Sequence, residues 1–273
     1  MHALRVTVDA AREDEATAAL WEAGTQGVEV KPALERRVEL IAYFGDDPDV
    51  AGLARALPGA EIAPAPVPDV DWVARFREGF RPFRVGRFEV VPRWEAHGPD
   101  PERLIVDPGR AFGTGTHETT KLCLEALARL AERRPLGRTL DLGAGTALLA
   151  VAARRLGAGL VVASDIDPEA TSASRHHAAL NGEPLHVVRA DGGRGLRSRS
   201  FDLVLANLMA LLLIDRAAEV QDLVAPGGAL VLSGLLLDDV PPVREAFAAS
   251  GTPREHRLGE WAALVFEPAG AAR

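Results

Sequence analysis

Apolar residues follow two different spacings, one after the other, along the first 66 positions of the chain. Strict alternation is typical of strands, and apolar residues three or four apart are typical of helices. The predicted strands are 4–10, 27–32, 36–44 and the proline-rich edge segment 60–67, and the predicted helices are 13–24 and 48–59. The order β-α-β-β-α-β is that of the split βαβ motif. We therefore predict a small ferredoxin-like α+β domain over residues 1–66.

A connector rich in proline follows this domain. Its prolines, within residues 63–71, stiffen the chain because each one fixes its own φ angle. Residues 71–86 then carry aromatic and basic side chains at helical spacing, and Pro82 ends the predicted helix. We assign residues 67–95 to a linker that holds this helix and a strand. Further strands are predicted over 87–94 and 103–108.

After residue 117, longer helical stretches alternate with short and nearly continuous apolar runs. Such runs are typical of parallel strands that are buried on both faces. The predicted strands are 138–143, 160–165, 185–190, 201–207 and 228–234, and the predicted helices are 117–133, 146–157, 168–180, 210–224 and 240–250. An alternating segment over 261–268 is expected to be an edge strand. We therefore predict a doubly wound, Rossmann-like α/β domain over 96–273, with helices on both faces of a parallel sheet.

Composition and charge narrow the class of protein. The 273 residues include one cysteine, Cys123, which excludes a disulfide framework and is typical of a core residue in a helical pattern. The formal net charge of −8 disfavours a nucleic-acid-binding face and suits an enzyme that receives a basic protein. Neither a signal peptide nor an apolar run of membrane-spanning length is predicted, so we expect a cytoplasmic protein.

The first βα turn of the predicted sheet, LDLGAGT, resembles a nucleotide-binding turn. A dinucleotide fingerprint needs glycine or alanine where this chain has Leu148. Asp141, Gly143 and Gly145 instead match the acidic-x-G-x-G-x-G turn of S-adenosylmethionine-dependent methyltransferases, with Ala147 at the third glycine position. A carboxylate before the first glycine suits an ammonium or sulfonium ligand and repels a pyrophosphate.

Polar residues also follow the next three strands of this sheet. Asp165 is placed to accept ribose hydroxyls, whereas Asp167 is better placed to cap the next helix. Asp191 could meet an adenine amine, and the carbonyl oxygen of Asn207 could hold a target amine with its lone pair toward a methyl donor. Each residue alone is compatible with a turn or cap that binds nothing. Their occurrence at successive strand ends favours a ligand site.

The segment 107–121, DPGRAFGTGTHETTK, is dense in glycine and hydroxyl residues. A phosphate-binding P-loop needs glycine before its lysine and serine or threonine after it, but Thr120 and Leu122 flank Lys121. A metal site is not expected, because His117 has no second ligand cluster at a usual spacing. We expect His117 to start a helix.

Four segments in one order, DPGRAFGTGTHETTKLCLEAL, LDLGAG, SDIDP and ANLMA, resemble the ribosomal protein L11 methyltransferase family. The linker DWVARFREGFRPFRVG is also similar to that family, and the resemblance is strongest from residue 71 onward. It implies that S-adenosylmethionine contacts Thr120, Gly143, Asp165 and Asn207. It also implies that Phe112 and Gly113 lie near the methyl donor and the incoming amine, so we expect them to act with Asn207 in catalysis.

The resemblance further implies methylation of lysine side chains and an α-amino group of one ribosomal protein, presented by an N-terminal recognition domain. We expect a basic ribosomal protein as partner, no direct nucleic-acid binding, no membrane association and a monomer. A related enzyme that methylates lysines of an electron-transfer flavoprotein subunit keeps less of the N-terminal domain and is the alternative. Ala147 replaces the glycine usual in the family and is expected to alter the methionine pocket.

Other classes of function are less compatible with the sequence. A nicotinamide-dependent oxidoreductase would have a small residue in place of Leu148 and no carboxylate at Asp141. An RNA-binding α+β domain would carry interleaved basic and aromatic residues on its strands, where this chain offers Tyr43 and Phe44. A protein that binds the cofactor without catalysis would show the same glycine turn.

Overall fold

The computed structural model describes residues 2–25, 27–32, 37–66, 80–98, 100–107 and 115–268, and elements are numbered below over those residues. The chain divides into two compact units, Met1–Asp71 and Trp72–Arg273. Most of the aromatic helix predicted from residue 71 lies outside the described residues, as do Phe112 and Gly113. In the described part, no helix is long and apolar enough to cross a membrane.

The first unit has the predicted ferredoxin-like order. Its elements are β1 (His2–Asp9), α1 (Glu13–Glu22), β2 (Gly27–Pro32), β3 (Arg37–Phe44), α2 (Val50–Ala56) and β4 (Glu61–Pro64). The strands form one antiparallel sheet in the order β2-β3-β1-β4. Because proline has no backbone N–H to donate, the edge position of β4 is where a strand ending in Pro64 is tolerated.

Alternation along β1 and β3 builds the core of this unit. Val6 and Leu40 are both fully buried and lie opposite each other in the register of the two strands. Leu20 of α1 and Leu53 of α2 cover the same face of the sheet. The second helix begins at a capping residue, because the Asp49 carboxylate accepts a hydrogen bond from the backbone N–H of Gly52 at 2.8 Å.

The second unit begins, in the described residues, with a small three-stranded sheet. It consists of β5 (Phe83–Val85), β6 (Phe88–Pro92) and β7 (Arg103–Val106) in that order. Strands β5 and β6 form an antiparallel hairpin, and β6 and β7 are parallel. The predicted strands over 87–94 and 103–108 are therefore confirmed as β6 and β7. Residues 83–85, which follow Pro82, form a strand.

A seven-stranded sheet with flanking helices forms the rest of the unit. Its strands are β8 (Arg138–Leu142), β9 (Leu160–Asp165), β10 (His186–Arg189), β11 (Phe201–Asn207), β12 (Val224–Leu236), β13 (Arg254–Leu258) and β14 (Trp261–Phe266). Its helices are α3 (Glu118–Arg133), α4 (Leu148–Arg155), α5 (Pro168–Asn181), α6 (Ala210–Asp215), α7 (Ala217–Leu223) and α8 (Val240–Ala246). The strand order is β10-β9-β8-β11-β12-β14-β13. The doubly wound fold is confirmed.

Two details of the predicted sheet were wrong. Strand β14 is antiparallel to β12 and lies inside the sheet, so the sheet is mixed and β14 is not its edge. The edge is β13, whose sequence REHRL is mostly charged and was not predicted as a strand. Strand β13 forms by antiparallel pairing with β14. Because β13 covers the outer edge of β14, strand β14 is almost wholly buried.

Helices cover both faces of the seven-stranded sheet. Leu203 and Leu205 of β11 contribute to a core with α3 and α4, while Val204 and Ala206 of the same strand face a second core with α6, α7 and α8. Burial on both faces accounts for the continuous apolar runs in the sequence. It also leaves the carboxyl ends of the strands as the open edge where polar residues collect.

Candidate functional site

A cavity of about 720 Å³ opens at the carboxyl ends of β8, β9 and β11. The chain leaves β8 toward β9 on one side and later returns to β11 on the other, so the cavity lies at the topological switch point of the sheet. Five of the predicted site residues line it together: Gly143, Gly145, Asp165, Asp191 and Asn207. The fold therefore brings together residues that are up to 64 positions apart, from 143 to 207.

The glycine turn after β8 is tied to the neighbouring strand β9. Gly143 has φ +70°, and a side chain there would collide with Leu208. Its backbone N–H donates to the carbonyl of Ser164 at 2.8 Å. The N–H of Gly145 donates to the Asp165 carboxylate at 2.9 Å. A positive φ of this size is strained for a residue with a Cβ, so glycine is favoured at the first position of the turn.

Asp165 and Asp167 have different partners at the end of β9. The Asp165 carboxylate accepts from Gly145 through one oxygen and from the backbone N–H of Asp167 through the other, at 3.0 Å. The Asp167 carboxylate accepts from the N–H of Glu169 at 2.8 Å and caps α5, as predicted. Both carboxylates line the cavity, but only Asp165 connects β9 to the glycine turn.

Asp191, after β10, is held by arginine side chains. Its carboxylate lies 2.6 Å from Arg216 and 3.0 Å from Arg194. Arg216 also contacts Glu219 at 3.4 Å, and all of Asp191, Arg216 and Glu219 line the cavity. The far wall of the cavity is thus an ion-pair network that joins the loop after β10 to α7.

The predicted residues Thr120 and Asp141 lie beside a separate small pocket of about 20 Å³. Gly143 and Asn207 line this pocket and the large cavity, so the two spaces meet at these residues. Among the described residues, the hydroxyl oxygen of Thr120 is buried and has no hydrogen-bond partner. A buried hydroxyl without a partner is the signature of a polar group that a bound ligand would satisfy.

Asp141 is buried beneath the glycine turn. One carboxylate oxygen accepts the backbone N–H of Ala150 in α4 at 3.0 Å. Burial raises the pKa of Asp141 to about 7, the hydrogen bond from Ala150 opposes this, and the charge of Asp165 adds to it. A cationic group bound in the adjoining pocket would favour the ionised carboxylate, because opposite charges stabilise each other strongly away from water.

The large cavity has an acidic lining. Its carboxylates are Asp165, Asp167, Asp191 and Glu219, and Arg216 is the one lysine or arginine among the described residues that line it. Four negative charges and one positive charge give a formal balance of −3. This field disfavours a phosphate and favours a cation such as a sulfonium or an ammonium group. The orphaned Thr120 hydroxyl and this acidic field fit S-adenosylmethionine.

Sequence reasoning missed several residues of the cavity. Trp261 and Met209 line it, and so does Arg216, which had no motif to identify it. His117 was predicted to start a helix and does so as the cap of α3, but it also lines the cavity and packs edge-on against Trp261. Only the folding of the last hairpin brings Trp261 to this place. In the described residues, no group of three or more His, Cys, Asp or Glu could hold a metal ion.

Comparison with known proteins gives the family. The family model described as ribosomal protein L11 methyltransferase (PrmA) matches residues 1–268. The ribosomal protein L11 methyltransferase of Geobacter sulfurreducens is 42% identical over 249 residues, which cover 84% of this chain and 81% of that protein. That of Pseudomonas paraeruginosa is 41% identical over 227 residues, covering 78% and 74%.

A solved structure of a protein with a closely similar description is also similar to this chain. The crystal structure of ribosomal protein L11 methylase from Lactobacillus delbrueckii subsp. bulgaricus has a TM-score of 0.61 and 30% identity, covering 68% of this chain and 97% of that one. The family model extends over both compact units of the chain. On these grounds the chain belongs to the ribosomal protein L11 methyltransferase family.

Proposed function

We propose that this chain, an S-adenosylmethionine-dependent protein methyltransferase, transfers methyl groups to lysine and α-amino nitrogens of ribosomal protein L11. One observation carries the proposal more than any other. An acidic cavity at the switch point adjoins a buried, unpartnered hydroxyl, and Asn207 lines both spaces. A cationic methyl donor and an amine acceptor are the pair of ligands that suits this arrangement.

The residues that would hold the cofactor follow from their chemistry. We assign the ribose hydroxyls to Asp165, because a carboxylate can accept two hydrogen bonds. The amino and carboxylate end is assigned to Thr120, Asp141 and the glycine turn at Gly143, where the small pocket lies. Asp191 is assigned to the adenine end. When bound, S-adenosylmethionine supplies an electrophilic methyl group on a positively charged sulfur.

Asn207 is proposed to orient the acceptor amine. Its amide oxygen would accept an N–H of the neutral amine and hold the nitrogen lone pair in one direction, and positioning of this kind supplies much of the rate in displacement reactions. Phe112 and Gly113 are proposed to act beside it, on the family resemblance alone. Because only the unprotonated amine has a free lone pair, methylation would be faster above the pKa of the acceptor.

The first unit is proposed to recognise the substrate. The family match begins at residue 1 and includes this α+β unit, which favours ribosomal protein L11 over an electron-transfer flavoprotein subunit as substrate. We propose domain boundaries at residues 1–66, 67–95 and 96–273. We further propose a monomer that acts in the cytoplasm, where ribosomal proteins are made, without direct contact to nucleic acid or membrane.

Labelled S-adenosylmethionine tests the substrate. We expect the chain to label one small protein in a ribosomal protein extract, and purified ribosomal protein L11 to be labelled equally well. Purified ribosomal RNA and an electron-transfer flavoprotein subunit are tested as alternative substrates under the same conditions. Label in RNA alone, or in the flavoprotein subunit but not in L11, would contradict the proposed function.

A further inference from the structure

Two aromatic side chains line the large cavity together with Asn207. His117 and Trp261 both line it. Their ring centroids are 4.7 Å apart and the rings meet edge-on at 70°. The pair belongs to elements far apart in sequence, the start of α3 and the start of β14. The fold therefore brings an indole ring to the space in which we place the amine acceptor.

Strand register places Trp261 beyond the strand ends. Asn207 lies opposite Ser233 on β12, and Trp261 lies opposite Leu236, three residues further along the same strand. The pairing of β12 with β14 shifts between Leu232 and Leu235, so Trp261 lies about two residues of β14, or roughly 7 Å, past the level of Asn207. A long lysine side chain that approaches Asn207 from outside would pass an indole at this height.

The ring of His117 is itself fixed. Its Nδ1 accepts the backbone N–H of Thr119 at 3.3 Å and lies 2.8 Å from the Thr119 hydroxyl. This capping interaction holds His117 at the start of α3, and the edge contact with His117 then limits the orientation of Trp261. An aromatic wall that is already ordered binds a ligand with a smaller loss of side-chain entropy.

Successive methylation removes the group that Asn207 can recognise. A neutral primary amine has two N–H donors, a monomethylamine has one, and a dimethylamine has none. Asn207 can therefore orient the first two acceptors through a hydrogen bond but not the third. A methylated ammonium is attracted instead to the face of an aromatic ring, and tryptophan is the best of the aromatic residues for this contact.

We propose that Trp261 is a specificity-determining residue that holds methylated forms of the acceptor nitrogen and so sets how many methyl groups one nitrogen receives. The inference rests on the proposed function of the same site. In each transfer the nitrogen lone pair forms the N–CH₃ bond, the S–CH₃ bond breaks, and its electron pair stays on sulfur. The new ammonium loses a proton to solvent before the next transfer, until no proton remains.

Binding to the chain without methyl donor gives the first test. The probes are trimethyllysine and its neutral isostere, in which carbon replaces the side-chain nitrogen. Trp261→Leu should lower the affinity for trimethyllysine by roughly threefold to thirtyfold and leave the isostere much less affected, with Trp261→Phe between the two. The acidic residues of the cavity favour the cationic probe in the wild-type chain and in every variant. The difference in affinity between variants therefore measures the contribution of the indole ring.

Product analysis gives the second test. Intact mass spectrometry of L11 should show fewer fully methylated nitrogens with Trp261→Leu than with the wild-type chain, and nearly normal products with Trp261→Phe. The control is Trp94→Leu, which should give the same products as the wild-type chain. Trp94 lies on the turn after β6 and does not line the cavity. Trp261→Met replaces the leucine variant if that variant is unfolded at the assay temperature.

The outcomes distinguish a failure of the inference about Trp261 from a failure of the proposed function. Equal trimethyllysine affinity and equal product distributions in wild type and Trp261→Leu would overturn the inference, as would a wild-type chain that does not bind trimethyllysine at millimolar concentration. A wild-type chain that never methylates L11 would overturn the proposed function, and the binding comparison would still decide the role of the ring.

Discussion

Two buried polar residues, Thr120 and Asp141, lower the stability of the folded chain before any ligand is bound. Thr120 is 1% exposed, and its hydroxyl has no partner among the described residues. Asp141 is 2% exposed and accepts a hydrogen bond from the backbone N–H of Ala150. Both residues border the small pocket beside the glycine turn. Polar groups that cost stability and line a pocket are expected where a ligand will pair with them.

Replacement of Thr120 by valine separates stability from binding. Thr120→Val removes an unpaired hydroxyl at nearly constant volume, so the free energy of unfolding should stay equal or rise by roughly 1 kcal/mol. Affinity for S-adenosylmethionine should fall. The control is Thr139→Val, where the buried hydroxyl donates to Leu136 and its loss should cost about 1 kcal/mol without changing affinity. Thermal melts and calorimetry measure both; a Thr120→Val variant with unchanged affinity would contradict the assignment.

Replacement of Asp141 by asparagine tests the buried charge. The folded pKa of about 7 exceeds the ordinary 3.8, so between these values the native state binds more protons than the unfolded state. The wild-type chain should therefore lose stability relative to Asp141→Asn as pH rises from 4 to 7, by at most about 4 kcal/mol. Denaturant unfolding at both pH values measures the difference, and a constant difference would refute the buried charge.

At the scale of elements, the start of α4 carries strain that glycine would relieve. Ala147 caps the helix with φ +60° and ψ +27°, in the left-handed region, and is fully buried. Members of the family that the sequence resembles usually have glycine at this position. A left-handed residue with a Cβ costs roughly 1–2 kcal/mol, and a buried methyl group offsets part of that cost by packing.

A pair of alanine-to-glycine variants measures this strain. Ala147→Gly loses a methyl group but gains relief of the left-handed strain, so its stability should stay within about 1 kcal/mol of wild type. Ala152→Gly, at an equally buried position inside α4, gains no such relief and should cost at least about 1 kcal/mol more. Equal losses in urea titrations of the two variants would show that Ala147 is not strained.

Elements with an unmistakable apolar period were predictable, and those formed by tertiary pairing were not. The buried strands β8, β9 and β11 were located from their continuous apolar runs. Strand β13 was missed because its residues are largely charged, and it exists through its pairing with β14. The position of β14 was misjudged for the same reason, because the charged strand that covers its outer edge was not recognised.

At the scale of the whole molecule, the site is assembled from residues that a one-dimensional pattern can only partly connect. Gly143, Asp165 and Asn207 were predictable because strand ends in a doubly wound sheet meet at one edge. Arg216 and Trp261 carry no motif and reach the cavity through the packing of α7 and the final hairpin. What the sequence could not supply was therefore long-range side-chain pairing, which depends on the complete fold.

The most direct test of the central claim is calorimetric titration of the chain with S-adenosylmethionine. We predict one binding site in the wild-type chain and an affinity roughly tenfold to a hundredfold lower in Asp165→Asn, because hydrogen bonds to a charged group contribute about 1.5–3 kcal/mol. Asp202→Asn, which changes a carboxylate paired with Arg138 away from the cavity, should bind like wild type. Absence of binding to the wild-type chain, or equal affinity in Asp165→Asn, would contradict the account.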